Sequence, residues 1–224
     1  MPSWKIHSKI GSDILKQINT NKKYFMIGNL IPDQDKYNIA NLQSNVSRVI
    51  THYVSNDDVK IGINLPDYEK FYNKYESKFN NPVILGYLVH LLTDYYWNKY
   101  IYDKYFIKNG DKYVAVKLSS NEIYKCDFNE MNSMKQQDFR IFNNSISVRK
   151  NNFRYCLNSK YFHELDEIKV SKHYIYLVGK YLNLSHKKES DGDKYSILNE
   201  KECIKIIEEC EKFIIHYFKN KHLI

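Results

Sequence analysis

The chain has 224 residues, enough for one domain with a sizeable core, and no long linker or low-complexity tract divides it. Only four prolines and seven glycines argue against an all-β sandwich or barrel, which needs many tight turns, and favour helices. The net charge of +8 is spread along the chain apart from short runs such as Lys187-Lys188, so it reads first as compositional bias and only second as attraction to nucleic acid or an anionic membrane.

Residues 4 to 18 read as an amphipathic helix, with Ile10, Ile14 and Ile18 on one stripe and His7 extending it inward. Residues 24 to 33 form an apolar run that ends in a turn at Asp33 and Asp35. Residues 36 to 64 are polar and irregular, and His52 lies among them. Asn64-Leu65-Pro66-Asp67 signals a helix start, followed by a helical face of Phe71, Tyr72, Tyr75 and Phe79.

Asn80-Asn81-Pro82 breaks that helix, and a long apolar one is expected from Pro82 to about Phe106. Near Asn109-Gly110 the character changes, and residues 110–125 are expected as a small irregular or β-leaning insertion, with alternation at Tyr113-Val114-Ala115-Val116. Helices follow at 130–149 and 171–183, then a charged loop from Ser185 to Lys194. The last helix, about 199–219, carries Cys203, Ile206, Ile207, Cys210, Phe213, Ile214 and Tyr217 at helical spacing. The expected architecture is a mainly α multi-helix bundle, with 1–224 as a single domain.

None of Cys126, Cys156, Cys203 and Cys210 forms a CxxC pair, so they read as free thiols. The N-terminus has no apolar core of a secretory signal, and the longest apolar run, Val83 to Val89, is too short to span a bilayer. A cytoplasmic protein is the expectation. With no Gly-rich phosphate loop and no nucleophile elbow, no nucleotide cofactor is expected.

His90 and Asp94 carry the most information. At i and i+4 on an apolar helix they project from one face, and burying either group alone is costly. The spacing is not rare: eight histidines and fourteen aspartates give roughly 0.5 chance pairs of this kind. A structural His–Asp pair therefore competes with a metal pair. What separates them is company, because His7, Asp33 and His52 also lie on or beside apolar segments. Imidazole nitrogens and carboxylate oxygens suit zinc, and two or three ions sharing a carboxylate can clamp a phosphoryl displacement.

The motifs occur in a recognisable order. Trp4-x-x-His7, Gly28-Asn29-x-x-Pro32-Asp33, Thr51-His52-Tyr53 and Gly86-Tyr87-Leu88-x-His90-Leu91-Leu92-x-Asp94-x-x-Trp97 resemble the bacterial zinc-dependent phospholipase C family, which is related to the zinc-dependent single-strand nucleases. The resemblance covers about residues 2 to 106 and implies an α-helical bundle that hydrolyses phosphoester bonds with one to three Zn2+ ions.

The resemblance also implies roles. Asp33, His52, His90 and Asp94 would hold one zinc, Asp94 would bridge to a second held by His7, and Asp33 would act on the attacking water. Trp4 is internal here, whereas the secreted enzymes bind zinc through an N-terminal Trp, so only its carbonyl remains as a candidate. The family's last zinc takes a His soon after the Asp and a His-x-x-x-Glu pair. This chain has no His between Asp94 and His163, which leaves His163, Glu167 and the carboxylate of Asp138 as candidates. The implied substrate is a phospholipid or nucleotide-like phosphoester, with an anionic membrane surface as a further partner. The competing expectations are a basic, tyrosine-rich binding module with no catalysis, and a degenerate family member whose metal is structural.

Overall fold

The computed structural model describes residues 2–36, 47–60, 63–147, 160–168 and 194–224. It is mainly helical with one small sheet, as expected. The helix expected at 171–183 and the charged loop up to 193 lie outside these residues.

The first helix, α1 (Trp4–Ile14), starts at Ser3, whose hydroxyl accepts from the Ile6 N–H, and buries Trp4, Ile6, His7, Ile10 and Ile14. It ends four residues earlier than its apolar stripe suggests. The short α2 (Lys22–Gly28), capped by Asn21, leads into a 3₁₀ turn over Ile31–Lys36. Two brief helices follow, α3 (Arg48–Thr51) and α4 (Asn56–Lys60), where an irregular stretch was expected. Asp67 caps α5 (Tyr68–Tyr75) through the Lys70 N–H, and Phe71, Tyr72, Tyr75 and Phe79 are all buried as their spacing predicts.

The centre of the fold is α6 (Pro82–Tyr105). Asn81 caps it and Pro82 occupies its first turn, where a missing N–H costs nothing. Every residue from Pro82 to Asp94 is buried, so this helix is apolar all round and α1, α2 and α5 pack about it. At about 1.5–3 kcal/mol for each fully buried aliphatic side chain, Val83, Ile84, Leu88, Val89, Leu91 and Leu92 make it the main source of core stabilisation.

Helices α2 and α6 meet at two glycines. A Cβ on Gly86 would lie 2.0 Å from the Phe25 carbonyl oxygen, and one on Gly28 would lie 2.1 Å from the Val83 carbonyl oxygen. The backbones touch only because both side chains are absent.

The chain leaves α6 directly into β1 (Phe106–Asn109), turns at Gly110-Asp111 with Gly110 at φ +60°, and returns as β2 (Lys112–Lys117) and β3 (Ile123–Lys125). The sheet is antiparallel in the order β1-β2-β3, so the insertion begins four residues before the expected 110. Phe106 and Tyr113 pack it onto Phe128 at the start of α7 (Phe128–Ser145). The last helix, α8 (Glu200–Asn220), lays Cys203, Ile206, Ile207, Cys210 and Ile214 into the core, close to the expected bounds. Phe213 is only half-buried and meets Tyr96 at the rim. Among the described residues no helix is long and apolar enough to cross a membrane.

Candidate metal centre

Asp33, His52, His90 and Asp94 converge in the core with no solvent exposure, although three separate elements supply them. His90 and Asp94 come from α6 and are brought together by helical spacing. Asp33 comes from the 3₁₀ turn after α2, and His52 is the C-cap of α3. One potential ligand atom from each lies within 4.8 Å of the others.

The individual distances are narrower. His52 Nε2 stands 3.2 Å from His90 Nε2, 3.4 Å from Asp94 Oδ2 and 3.6 Å from Asp33 Oδ1, and His90 Nε2 is 3.5 Å from Asp94 Oδ2. Four donors placed about 2.0–2.2 Å from one tetrahedral ion stand roughly 3.3–3.6 Å apart. The four distances given, from 3.2 to 3.6 Å, are close to the edges of such a tetrahedron, and the whole set lies within 4.8 Å.

The chemistry of the donors fits as well. His90 Nδ1 lies 2.9 Å from the Asn29 carbonyl, which can only accept, so this nitrogen carries the proton and Nε2 is left with a lone pair. His52 Nδ1 meets the Thr51 hydroxyl at 2.7 Å. Two imidazoles and two carboxylates facing one point form an acceptor set of charge about −2, which a divalent cation neutralises. Both Asp94 oxygens are buried and have no hydrogen-bond partner among the described residues. The residues present fit a metal ion.

His7 extends the cluster. Its ring stacks on His90 with centroids 4.0 Å apart, and its Nε2 lies 3.2 Å from Asp94 Oδ1, the oxygen that faces away from His52 and His90. Asp94 therefore has one oxygen toward each side, as a bridging carboxylate does. The His7 carbonyl accepts from Asn29 Nδ2 at 2.7 Å, so Asn29 ties α1 to α2 and, through its own carbonyl, to His90.

Protonation follows from burial and charge. Burial, with the charge of His90, pushes His7 down to about 4. Burial likewise pushes His52 down to about 4, and Arg48 adds to the fall. Burial opposes the charged forms of His90 and Asp94 too, but they face each other: His90 ends raised and Asp94 well below the ordinary carboxylate range.

The remaining candidates make contacts of their own. Trp4 is buried at the start of α1, one turn before His7. Asp138 accepts three backbone N–H groups, from Ser196 at 2.7 Å and from Ile197 and Leu198 at 2.8 Å, and so fixes the entry to α8. His163 is exposed. Glu167 is buried, accepting from Tyr53, Lys74 and Tyr75.

Sequence reasoning missed Arg48, which lies 3.4 Å from Asp33 Oδ1 and 3.3 Å from Asn64 Oδ1, with its side chain 20% exposed. It placed Asn29 in the motif with Gly28 and Asp33 but gave it no role.

A family profile described as zinc dependent phospholipase C matches residues 6–167 of the chain. No curated protein and no solved structure matches it. The buried His/Asp cluster and this similarity together point to a metal-dependent hydrolase.

Proposed function

The chain belongs to the zinc-dependent phospholipase C family, and from that premise we propose that it hydrolyses phosphodiester bonds, with a phospholipid-type substrate as the first choice. The observation that carries the reading is the convergence of four buried acceptor groups within 4.8 Å of one another. Asp33, His52, His90 and Asp94 would hold one zinc, and His7 with Asp94 Oδ1 would begin a second site. Bound there, zinc supplies Lewis acidity, polarising a phosphoryl oxygen and lowering the pKa of water.

The chain's own residues complete the arrangement. Asn29 and Thr51 fix the two imidazole rings, so each Nε2 stays aimed at the cluster. The Asp33 carboxylate is the group best placed to orient the attacking water and take its proton, a role typically worth on the order of 10² to 10⁴ in rate. Arg48, partly exposed and 3.4 Å from Asp33 Oδ1, offers a guanidinium suited to holding phosphoryl oxygens. The apolar wall of α6 keeps bulk water away and strengthens each of these interactions.

The test is direct. Protein purified without chelator is expected to carry zinc and to hydrolyse bis(p-nitrophenyl) phosphate or phosphatidylcholine vesicles, and Asp94→Asn is expected to lose both properties. Wild-type protein with no divalent metal by elemental analysis would remove the basis of the reading. One observation favours a second reading, a family member with a structural metal: Glu167 is matched by Lys74 and His163 is exposed, so this pair does not add a further metal set. Zinc with no turnover on a broad panel of phosphoesters would select it.

A further inference from the structure

Tyr53, the residue after His52, has φ +55°, a left-handed conformation that bulky side chains rarely adopt. Strain of this kind persists only where tertiary contacts hold it. The Tyr53 ring stands edge-on to Phe71, with centroids 5.8 Å apart, and its hydroxyl donates to Glu167.

Glu167 is itself well anchored. Its other oxygen accepts from the Tyr75 hydroxyl at 2.6 Å, Lys74 forms an ion pair with it, and the Asp166 N–H donates to the same Tyr75 hydroxyl at 3.1 Å. Asn81 pins this segment to the start of α6 by donating to the Tyr161 carbonyl at 2.9 Å. On the other side of His52, the Tyr87 hydroxyl of α6 donates to the Thr51 carbonyl. The three residues Thr51, His52 and Tyr53 are therefore gripped at both ends, by α6 and by Glu167.

We propose that Glu167 is a positioning residue for the metal centre, holding the strained Tyr53 so that His52 Nε2 stays aimed at Asp33, His90 and Asp94. This rests on His52 being a metal ligand. Glu167 is not a ligand itself, because a lysine ammonium and two phenol hydroxyls already match its carboxylate. The device makes the order of residues 160–168, more than a hundred residues away in sequence, a condition for the geometry of His52.

The experiment measures zinc affinity by chelator competition in Tyr53→Phe, Glu167→Ala and the double variant, together with the imidazole NMR signals of the zinc-free proteins. Each single variant is expected to bind zinc 10-fold or more weakly, in the range typical of groups that orient a ligand. The double variant should be no worse than the more affected single, because both act along one path. Tyr53→Asn in the Glu167→Ala background should recover part of the affinity, since Asn tolerates the left-handed backbone.

In zinc-free protein the His52 signals are expected to move in Glu167→Ala while those of His222 stay in place. Unchanged zinc affinity and unchanged His52 signals, even with a lower melting temperature, would overturn the proposal and leave Glu167 a purely structural anchor. If Glu167→Ala does not fold, Tyr53→Phe, which removes only a hydroxyl, decides alone. Wild-type protein that takes up no zinc would sink the proposed function, and the His52 signals would still decide the positioning role.

Discussion

Replacing Gly86 by Ala tests whether the crossing of α2 and α6 builds the site. A Cβ at position 86 would stand 2.0 Å from the Phe25 carbonyl oxygen and 2.9 Å from the Asn29 nitrogen. A carbon needs roughly 3.3 Å from a carbonyl oxygen, so the helices must part by about 1 Å, and neither contact is a side chain that can swing aside. The same movement would stretch the 2.9 Å contact between His90 Nδ1 and the Asn29 carbonyl to about 4 Å, beyond hydrogen-bond reach.

Overpacking of this kind costs about 1–3 kcal/mol and the lost hydrogen bond about 1 kcal/mol. The better helix propensity of Ala returns about 1 kcal/mol, leaving a net loss of about 1–3 kcal/mol. For a chain of this length that is a fall in Tm of about 2–12 °C by thermal unfolding. Zinc affinity should drop 10-fold or more, because the ring of His90 loses its orienting partner. Gly110→Ala is the control: it meets no atom within 4 Å, so it should touch stability through its positive φ alone and leave zinc binding intact. A Gly86→Ala protein that melts and binds zinc like wild type would refute the link between the crossing and the site.

Other outcomes follow from the same geometry. Asp94→Asn removes the charge that faces His7, His52 and His90 and is expected to weaken zinc binding at least 100-fold by competition titration, more than loss of an orienting partner does. Asp138→Ala should lose about 3 kcal/mol or more, because three backbone N–H groups lose their acceptor, while zinc stoichiometry by elemental analysis stays at the wild-type value. Stripping zinc with a chelator is expected to lower stability by about 4 kcal/mol when free zinc had stood 1,000-fold above its Kd, read as a drop in Tm.

In the zinc-free protein His7 and His52 have folded-state pKa values of about 4, below the unfolded value near 6.5. The unfolded chain therefore binds more protons between those limits, and stability falls as pH drops from about 6.5 to 4, by up to about 1.4 kcal/mol per pH unit for each histidine. His90, whose pKa is raised, contributes in the opposite sense, with stability present below 6.5 and lost as pH rises through its folded value. Denaturant titrations at a series of pH values check the balance; stability that rose on acidification from 6 to 4 would contradict it.

What the sequence showed depended on how local each cause was. Helix α6 was legible because Asn81-Pro82 starts it and an unbroken apolar run fills it. Helix α8 was legible because its core residues recur at helical spacing. His90 and Asp94 needed only one helix to bring them together. His7, Asp33 and His52 needed the order of motifs, since no spacing links residues that meet from α1, a 3₁₀ turn and the end of α3. Asp138 and Glu167 look like ligands in a sequence, because a buried carboxylate that accepts backbone N–H groups and one that binds metal share the same letter. The carbonyl of Asn29, which holds His90 Nδ1, is a backbone group, so the motif that contains Asn29 does not reveal its role. The sheet began early because Phe106 packs onto Phe128, a partner 22 positions away.

The five histidine and aspartate side chains of the centre are fully buried. A phosphodiester has no open path to them in this conformation, and an ion held among them has no open path out. Its escape waits on a local opening of the chain, so the rate of metal loss should level off as chelator concentration rises, at a value set by that opening. Loading obeys the same gate in reverse. Retention of the ion is then a matter of time as much as of affinity, and the interior of α6 acts as a clock for the metal as well as a scaffold.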